Sequence, residues 1–164
     1  MVIVNCLKTW SANIVIAIAV TLSLGMVFLS LLSPWYVTNI DQSLPGLVYA
    51  IDRGELPKRN DVAGIKVPAN PYYPEGAPFL KIIRGLPGDV VSCDGKRFFI
   101  NGIFVAEAKE QTKRGNPLTP GPTGVIPPDH YFVWTPHHDS YDSRYNELGW
   151  IAKKQIIGTA RRLL

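Results

Sequence analysis

From Thr9 to Ile40 the chain carries no charged side chain, and its most apolar part, Ile14 to Leu32, runs for 19 residues. Such a segment has few options, because backbone N–H and C=O groups must be paired wherever water is absent, and a helix pairs them within itself. As a helix, 19 residues rise about 28 Å, close to the ~30 Å hydrocarbon core of a bilayer. The sequence therefore predicts a membrane-spanning helix over residues 13–33, a short cytoplasmic amino terminus before it (1–12) and one exported domain after it (34–164). A cleaved secretory signal is the rival reading, with Lys8 and the amino terminus as its positive region. Two features oppose it: the apolar core exceeds the usual ~7–15 residues, and Ser30-Leu31-Leu32-Ser33 makes a poor cleavage signal with Pro34 directly after. Lys8 precedes the helix and Asp41 is the first charge beyond it, which places the amino terminus inside and the main domain outside.

Cys6 and Cys93 then lie on opposite sides of the membrane and cannot pair. Cys93 is expected to pack as a small apolar residue. The net charge of +4 comes from scattered pairs such as Lys113-Arg114, Lys153-Lys154 and Arg161-Arg162. No aromatic residues interleave with them in a stacking pattern, so the charge reads as a solvated face leaning on anionic lipid of the membrane, with no nucleic-acid partner.

Beyond Leu32, helical periodicity is absent and the punctuation is Gly and Pro, 14 of each in the chain. That predicts a mainly β domain of short strands and loops. Asp94-Gly95 and Asn101-Gly102 each sit between apolar runs and predict two hairpin turns, hence a three-stranded meander from Val90 to Val105. Leu47–Ile51, Leu80–Ile83, Tyr131–Trp134 and Gln155–Thr159 read as further strands. Pro117 to Pro128, with five prolines, is expected to cross the surface as an ordered excursion without elements of its own.

Lys81 lies inside the apolar run Phe79-Leu80-Lys81-Ile82-Ile83. An ammonium held against apolar neighbours loses hydration, so the neutral amine, which can take a proton from a serine, becomes populated. Taken singly the candidate residues are ordinary. Lys81 could snorkel at a sheet edge, and Ser43-Leu44-Pro45-Gly46 and Leu86-Pro87-Gly88-Asp89 both suit plain turns.

The combination is not ordinary. A serine shortly beyond a membrane helix, a lysine strand ending in Gly85-Leu86-Pro87-Gly88-Asp89, an Ile100-Asn101-Gly102 hairpin and then Asp139-Ser140-Tyr141-Asp142-Ser143-Arg144-Tyr145 follow in order. Residues 37 to 162 resemble the serine–lysine signal peptidase family. Pro45, the lead Tyr73-Pro74-Glu75-Gly76-Ala77-Pro78 and the 139–145 block are most similar to its TraF-type branch, the peptidases of conjugative transfer. The resemblance implies a β-rich signal peptidase-like catalytic domain with Ser43 as nucleophile and Lys81 as general base. Ser140 would hold the lysine by a hydrogen bond, and Asp142 and Arg144 would support the site. It implies no cofactor and no metal. The partner would be a membrane-tethered precursor, a pilin in the TraF branch, processed at the periplasmic face of the inner membrane and in some systems cyclised.

Some positions depart from the family. Ile82 stands where many members have Arg, and Thr135-Pro136-His137-His138 replaces Gly-Asp-Asn-Arg. Asp41 occupies the place of a hydroxyl that serves as second oxyanion donor, and an ionised carboxylate cannot donate. Three other readings stand beside this one: a Ser-His-Asp triad using one of His137 and His138, a metal site at His130, His137, His138 and Asp139, and an inactive membrane-anchored scaffold of a secretion channel. A general signal peptidase is the alternative within the same chemistry.

Overall fold

The computed structural model describes residues 2–32, 35–39, 43–69 and 73–164. The chain divides into two units, residues 1–33 and 34–164. The first is one helix, α1 (Val2–Leu32). It begins well before the apolar run, and its stretch from Asn13 to Ser30 is long and apolar enough to cross a membrane. Ile14, Val15, Leu22, Leu24, Met26 and Phe28 are all exposed, so the helix presents apolar side chains on every face, the pattern of a span solvated by lipid. Its hydroxyls are satisfied locally: Thr21 Oγ1 donates to Ala17 O at 2.9 Å and Ser23 Oγ to Ala19 O at 2.8 Å.

Among the described residues the second unit holds eleven strands. The first four are β1 (Trp35–Thr38), β2 (Val48–Arg53), β3 (Val62–Lys66) and β4 (Pro78–Gly85). The middle of the domain holds β5 (Val90–Asp94), β6 (Arg97–Ile100), β7 (Ile103–Glu107) and β8 (Gly124–Val125). The last three are β9 (His130–Trp134), β10 (Ile151–Ala152) and β11 (Ile156–Arg162). Seven form one antiparallel sheet in the order β1-β2-β11-β3-β4-β9-β10, and four form a second, β7-β6-β5-β8. The predicted mainly β class, the meander and the four further strands are all present.

The turns follow local stereochemistry. Ile100 pairs with Ile103 across Asn101 and Gly102, which both have positive φ (50° and 77°), as a two-residue hairpin turn of the primed kind requires. The other hairpin differs from expectation. Asp94 itself pairs with Arg97, and the turn is Gly95-Lys96 with positive φ at the glycine alone.

Four strands escaped the sequence reading. β3 has Ala63 and Gly64 at its centre, poor strand formers by propensity. Tertiary packing overrides that, because a Cβ at Gly64 would stand 2.4 Å from Ile51 Cδ1, so only glycine lets β2's side chain through. The excursion from Pro117 to Pro128 does carry an element, since β8 pairs with β5 through Val125 and Val90. Gln155 belongs to a 3-10 turn, and the last strand starts one residue later.

β4 sits between β3 and β9 and joins two clusters. Leu80 packs with Leu44, Tyr49 and Ile51, while Ile83 packs with Ala63, Ile65, Tyr131 and Val133. A third cluster around Phe98, Ile100 and Phe132 lies beneath the meander.

Candidate active site

Ser43 is 8% exposed and heads the loop into β2. Gly46 in that loop has φ +103°, the left-handed region that a turn with Pro45 before it requires. The loop is held from several sides. Asn39, buried at the end of β1, donates from Nδ2 to Leu44 O at 2.6 Å and to Gly46 O at 2.9 Å, and its Oδ1 accepts from Ser43 Oγ at 3.4 Å. Tyr49 OH donates to Pro45 O, and Leu47 N donates to Leu164 O at 2.7 Å. Leu44 packs in the same cluster as Leu80, the residue before Lys81, which ties the serine loop to the lysine strand.

Lys81 is 3% exposed on β4. Its Nζ donates to Ser140 Oγ at 2.6 Å and lies 5.3 Å from the centre of the Phe79 ring. Ser140 Oγ also accepts from Thr135 Oγ1 at 2.6 Å, so a buried hydroxyl pair fixes the position of the amine.

Behind Ser140 the turn 137–140 rests on a buried ion pair. Arg144 donates from Nε to Asp142 Oδ1 at 2.8 Å and from Nη2 to Oδ2 at 2.9 Å, a bidentate contact with Asp142 fully buried. Burial opposes the guanidinium charge, but the Asp142 carboxylate outweighs it and holds the arginine pKa above its ordinary value. Arg144 Nη1 reaches Glu107 O at 2.8 Å and Nη2 reaches His137 O at 3.4 Å, joining β7 to that turn.

Ser43, Lys81 and Ser140 all open on one cavity of about 820 Å³, while Asp142 and Arg144 lie behind its wall. Tyr73, Phe79 and Tyr141 form its apolar end, with the Tyr141 phenol pushed up to about 12 by burial and by Glu147. Its rim also carries Lys109, Lys113 and Arg114. Asp139 bridges to that rim, and hydrogen bonds from Lys109 and then Lys113 hold its carboxyl at about 2. A second cleft of about 510 Å³ runs along Ser43 to Leu47 against Pro136 and His137.

The structure thus brings together all five candidate residues. Asp41 lies outside the described residues. His137 and His138 lie at a turn, which Ser140 N closes by donating to His137 O at 3.1 Å. His137 Nδ1 accepts from the backbone N–H of Asp139 at 3.2 Å, so no carboxylate orients that ring as a triad would need. Among the described residues no group of three or more His, Cys, Asp or Glu could hold a metal ion.

Residues 7–164 match the family described as signal peptidase, peptidase S26. The chain belongs to the signal peptidase S26 family. Signal peptidase I of Bacillus licheniformis is 33% identical over 96% of this chain and 88% of that protein. The conjugal transfer protein TraF of Agrobacterium fabrum is 26% identical over 77% of this chain and 80% of its own length. Signal peptidase I of Bacillus amyloliquefaciens is 41% identical over 96 residues, and the match spans about half of each chain, 53% of this one and 51% of that one. Both the signal peptidase and the TraF likeness read from the motifs are therefore present in this S26 protein.

The sequence reading missed Asn39 and Thr135. Asn39 is the last side-chain amide of the charge-free stretch, four residues before Ser43, and Thr135 starts the segment that replaces Gly-Asp-Asn-Arg. Each could have been suspected only as a polar residue at the edge of an apolar run.

Proposed function

We propose that this S26 protein is a membrane-anchored serine endopeptidase that processes exported, membrane-tethered precursors at the periplasmic face of the inner membrane. One observation carries the reading: a lysine amine 3% exposed, hydrogen-bonded to Ser140, opens on the same cavity as Ser43. Ser140 holds the amine by one hydrogen bond, and in its neutral form that amine can take a proton from the serine.

Ser43 Oγ attacks the scissile carbonyl carbon as its proton passes to Lys81 Nζ, and the developing oxyanion rests on N–H donors. The C–N bond then breaks, Lys81 returns the proton to the leaving amine, and an acyl-enzyme remains. Asp142 and Arg144 position Ser140 through the turn. By its likeness to TraF the substrate is a conjugative pilin precursor, with the acyl-enzyme opened by water or by the pilin's own amino terminus to give a cyclised product. The Bacillus relatives, at 33% and 41% identity, favour a second reading, general removal of signal peptides.

Ser43→Ala and Lys81→Ala, made singly, should each abolish processing while the protein stays folded and membrane-bound, because nucleophile and base act as a unit. A Lys81→Ala protein that still processes substrate, in cells lacking another copy, would remove the lysine from the mechanism. Presenting a pilin precursor and an ordinary signal-peptide precursor to the wild-type protein separates the two readings, by which is cut and whether the pilin product is circular.

A further inference from the structure

Ser43 and His137 are the two residues that line both clefts, so the clefts meet at these residues. The His137 backbone is not free to drift. Its carbonyl accepts from Ser140 N at 3.1 Å and from Arg144 Nη2 at 3.4 Å, which ties it to the same ion pair that supports Ser140. The ring orientation is set as well. Nδ1 accepts from Asp139 N at 3.2 Å, and in a neutral imidazole that leaves the proton on Nε2. An exposed ring is thus held with an N–H donor on its far side, at the junction of the clefts. An oxyanion beside Ser43 needs more than one donor for full effect, and the carboxylate of Asp41 cannot be one.

We propose that His137 is a catalytic residue that donates its Nε2–H to the substrate carbonyl oxygen under attack by Ser43. The role rests on the peptidase reading above. No proton leaves His137 in the step: the hydrogen bond strengthens as the carbonyl oxygen gains charge, and relaxes when the C–N bond breaks. The donor is the neutral ring, whose Nδ1 lone pair accepts from Asp139 N and leaves Nε2–H to donate.

The test uses the full-length protein in detergent micelles and an internally quenched peptide carrying an Ala-x-Ala cleavage site. His137→Gln keeps an amide N–H donor, and His137→Met has similar bulk without one. In the Met variant kcat should fall on the order of 100-fold with KM within about threefold, as when an oxyanion donor is removed. The Gln variant should stay within about tenfold of wild type. A peptide aldehyde, whose adduct with Ser43 presents a tetrahedral oxygen, should bind the Met variant on the order of 100-fold more weakly. The acid limb of the pH–rate profile should not move in either variant. Wild-type kcat in the Met variant overturns the proposal, as does an equal loss in both variants with a lowered unfolding midpoint. Loss of the acid limb would make His137 a proton acceptor instead. Ser43→Ala and Lys81→Ala are assayed alongside. Cleavage by either refutes the nucleophile and base, whereas two inactive controls beside an unimpaired Met variant refute His137 alone.

Discussion

Asn39 shows how one buried amide can hold a loop around a serine. Its two N–H groups hold the carbonyls of Leu44 and Gly46 while its oxygen faces the Ser43 hydroxyl, so the loop has little freedom to rotate the serine away. Asn39→Ala leaves those two carbonyls without this donor, at roughly 1–3 kcal/mol for each group left unsatisfied. It should lower the urea midpoint and slow processing together. A variant with lowered stability and an undiminished rate would show that Asn39 serves the fold alone. In the proposed mechanism Ser140 acts at one remove, by orienting the amine. Ser140→Ala should therefore slow the enzyme on the order of tenfold to a hundredfold, less than Lys81→Ala, since losses in a supporting shell leave part of the activity. Equal severity in the two variants would require a direct chemical role for Ser140.

The element that organises the site is the segment from Thr135 to Tyr145, a turn and loop rather than a strand. Its rigidity comes from Asp142 and Arg144, whose bidentate contact is shielded from water and whose outer nitrogens reach β7 and the 137–140 turn. Removing one partner of a buried pair strands the other charge, so Arg144→Ala should cost about 3–5 kcal/mol in unfolding free energy. Arg144→Lys should recover little, because a point-charge ammonium cannot reproduce the fork. Denaturant unfolding of the three proteins measures this, and a Lys variant as stable as wild type would show that charge without geometry suffices. β4 contributes differently. It carries Leu80 into one cluster and Ile83 into another, so the lysine between them is placed by packing on both faces of its strand.

At the scale of the whole molecule, Asp89 and Asp139 are among the carboxylates that link stability to pH. Burial alone would raise the pKa of Asp89, but the Leu86 N–H, Asn101 and the Arg59 guanidinium outweigh it and hold the carboxyl below its ordinary value. Asp139 is held at about 2 by Lys109 and Lys113. A carboxyl whose folded pKa lies below the ~3.9 of an unfolded chain adds stability above that value and loses it as pH falls through the folded one. The urea midpoint should therefore drop as pH falls from about 4 toward 2, the window between those two pKa values. Asp89→Asn should flatten the decline, because one of the linked protons is gone. An equally steep decline in that variant would place the linkage elsewhere.

Much of this was legible in the chain because it is local. A long charge-free apolar run has only a helix to fold into, Asn-Gly and Asp-Gly mark reversals, and a lysine among β-branched and aromatic residues signals an amine with lost hydration. The 139–145 block, together with Ser43 and Lys81, singled out five candidate residues through its resemblance to the signal peptidase family. Tertiary structure decided what depends on distant partners. Gly64 stands in a strand because Ile51 fills the space above it, and the Gly95-Lys96 turn took its register from the pairing of Asp94 with Arg97. Asn39 and Thr135 became parts of the site only when folding brought a carbonyl or hydroxyl within about 3 Å of each, since a hydrogen bond is a property of two groups and no sequence position carries it alone.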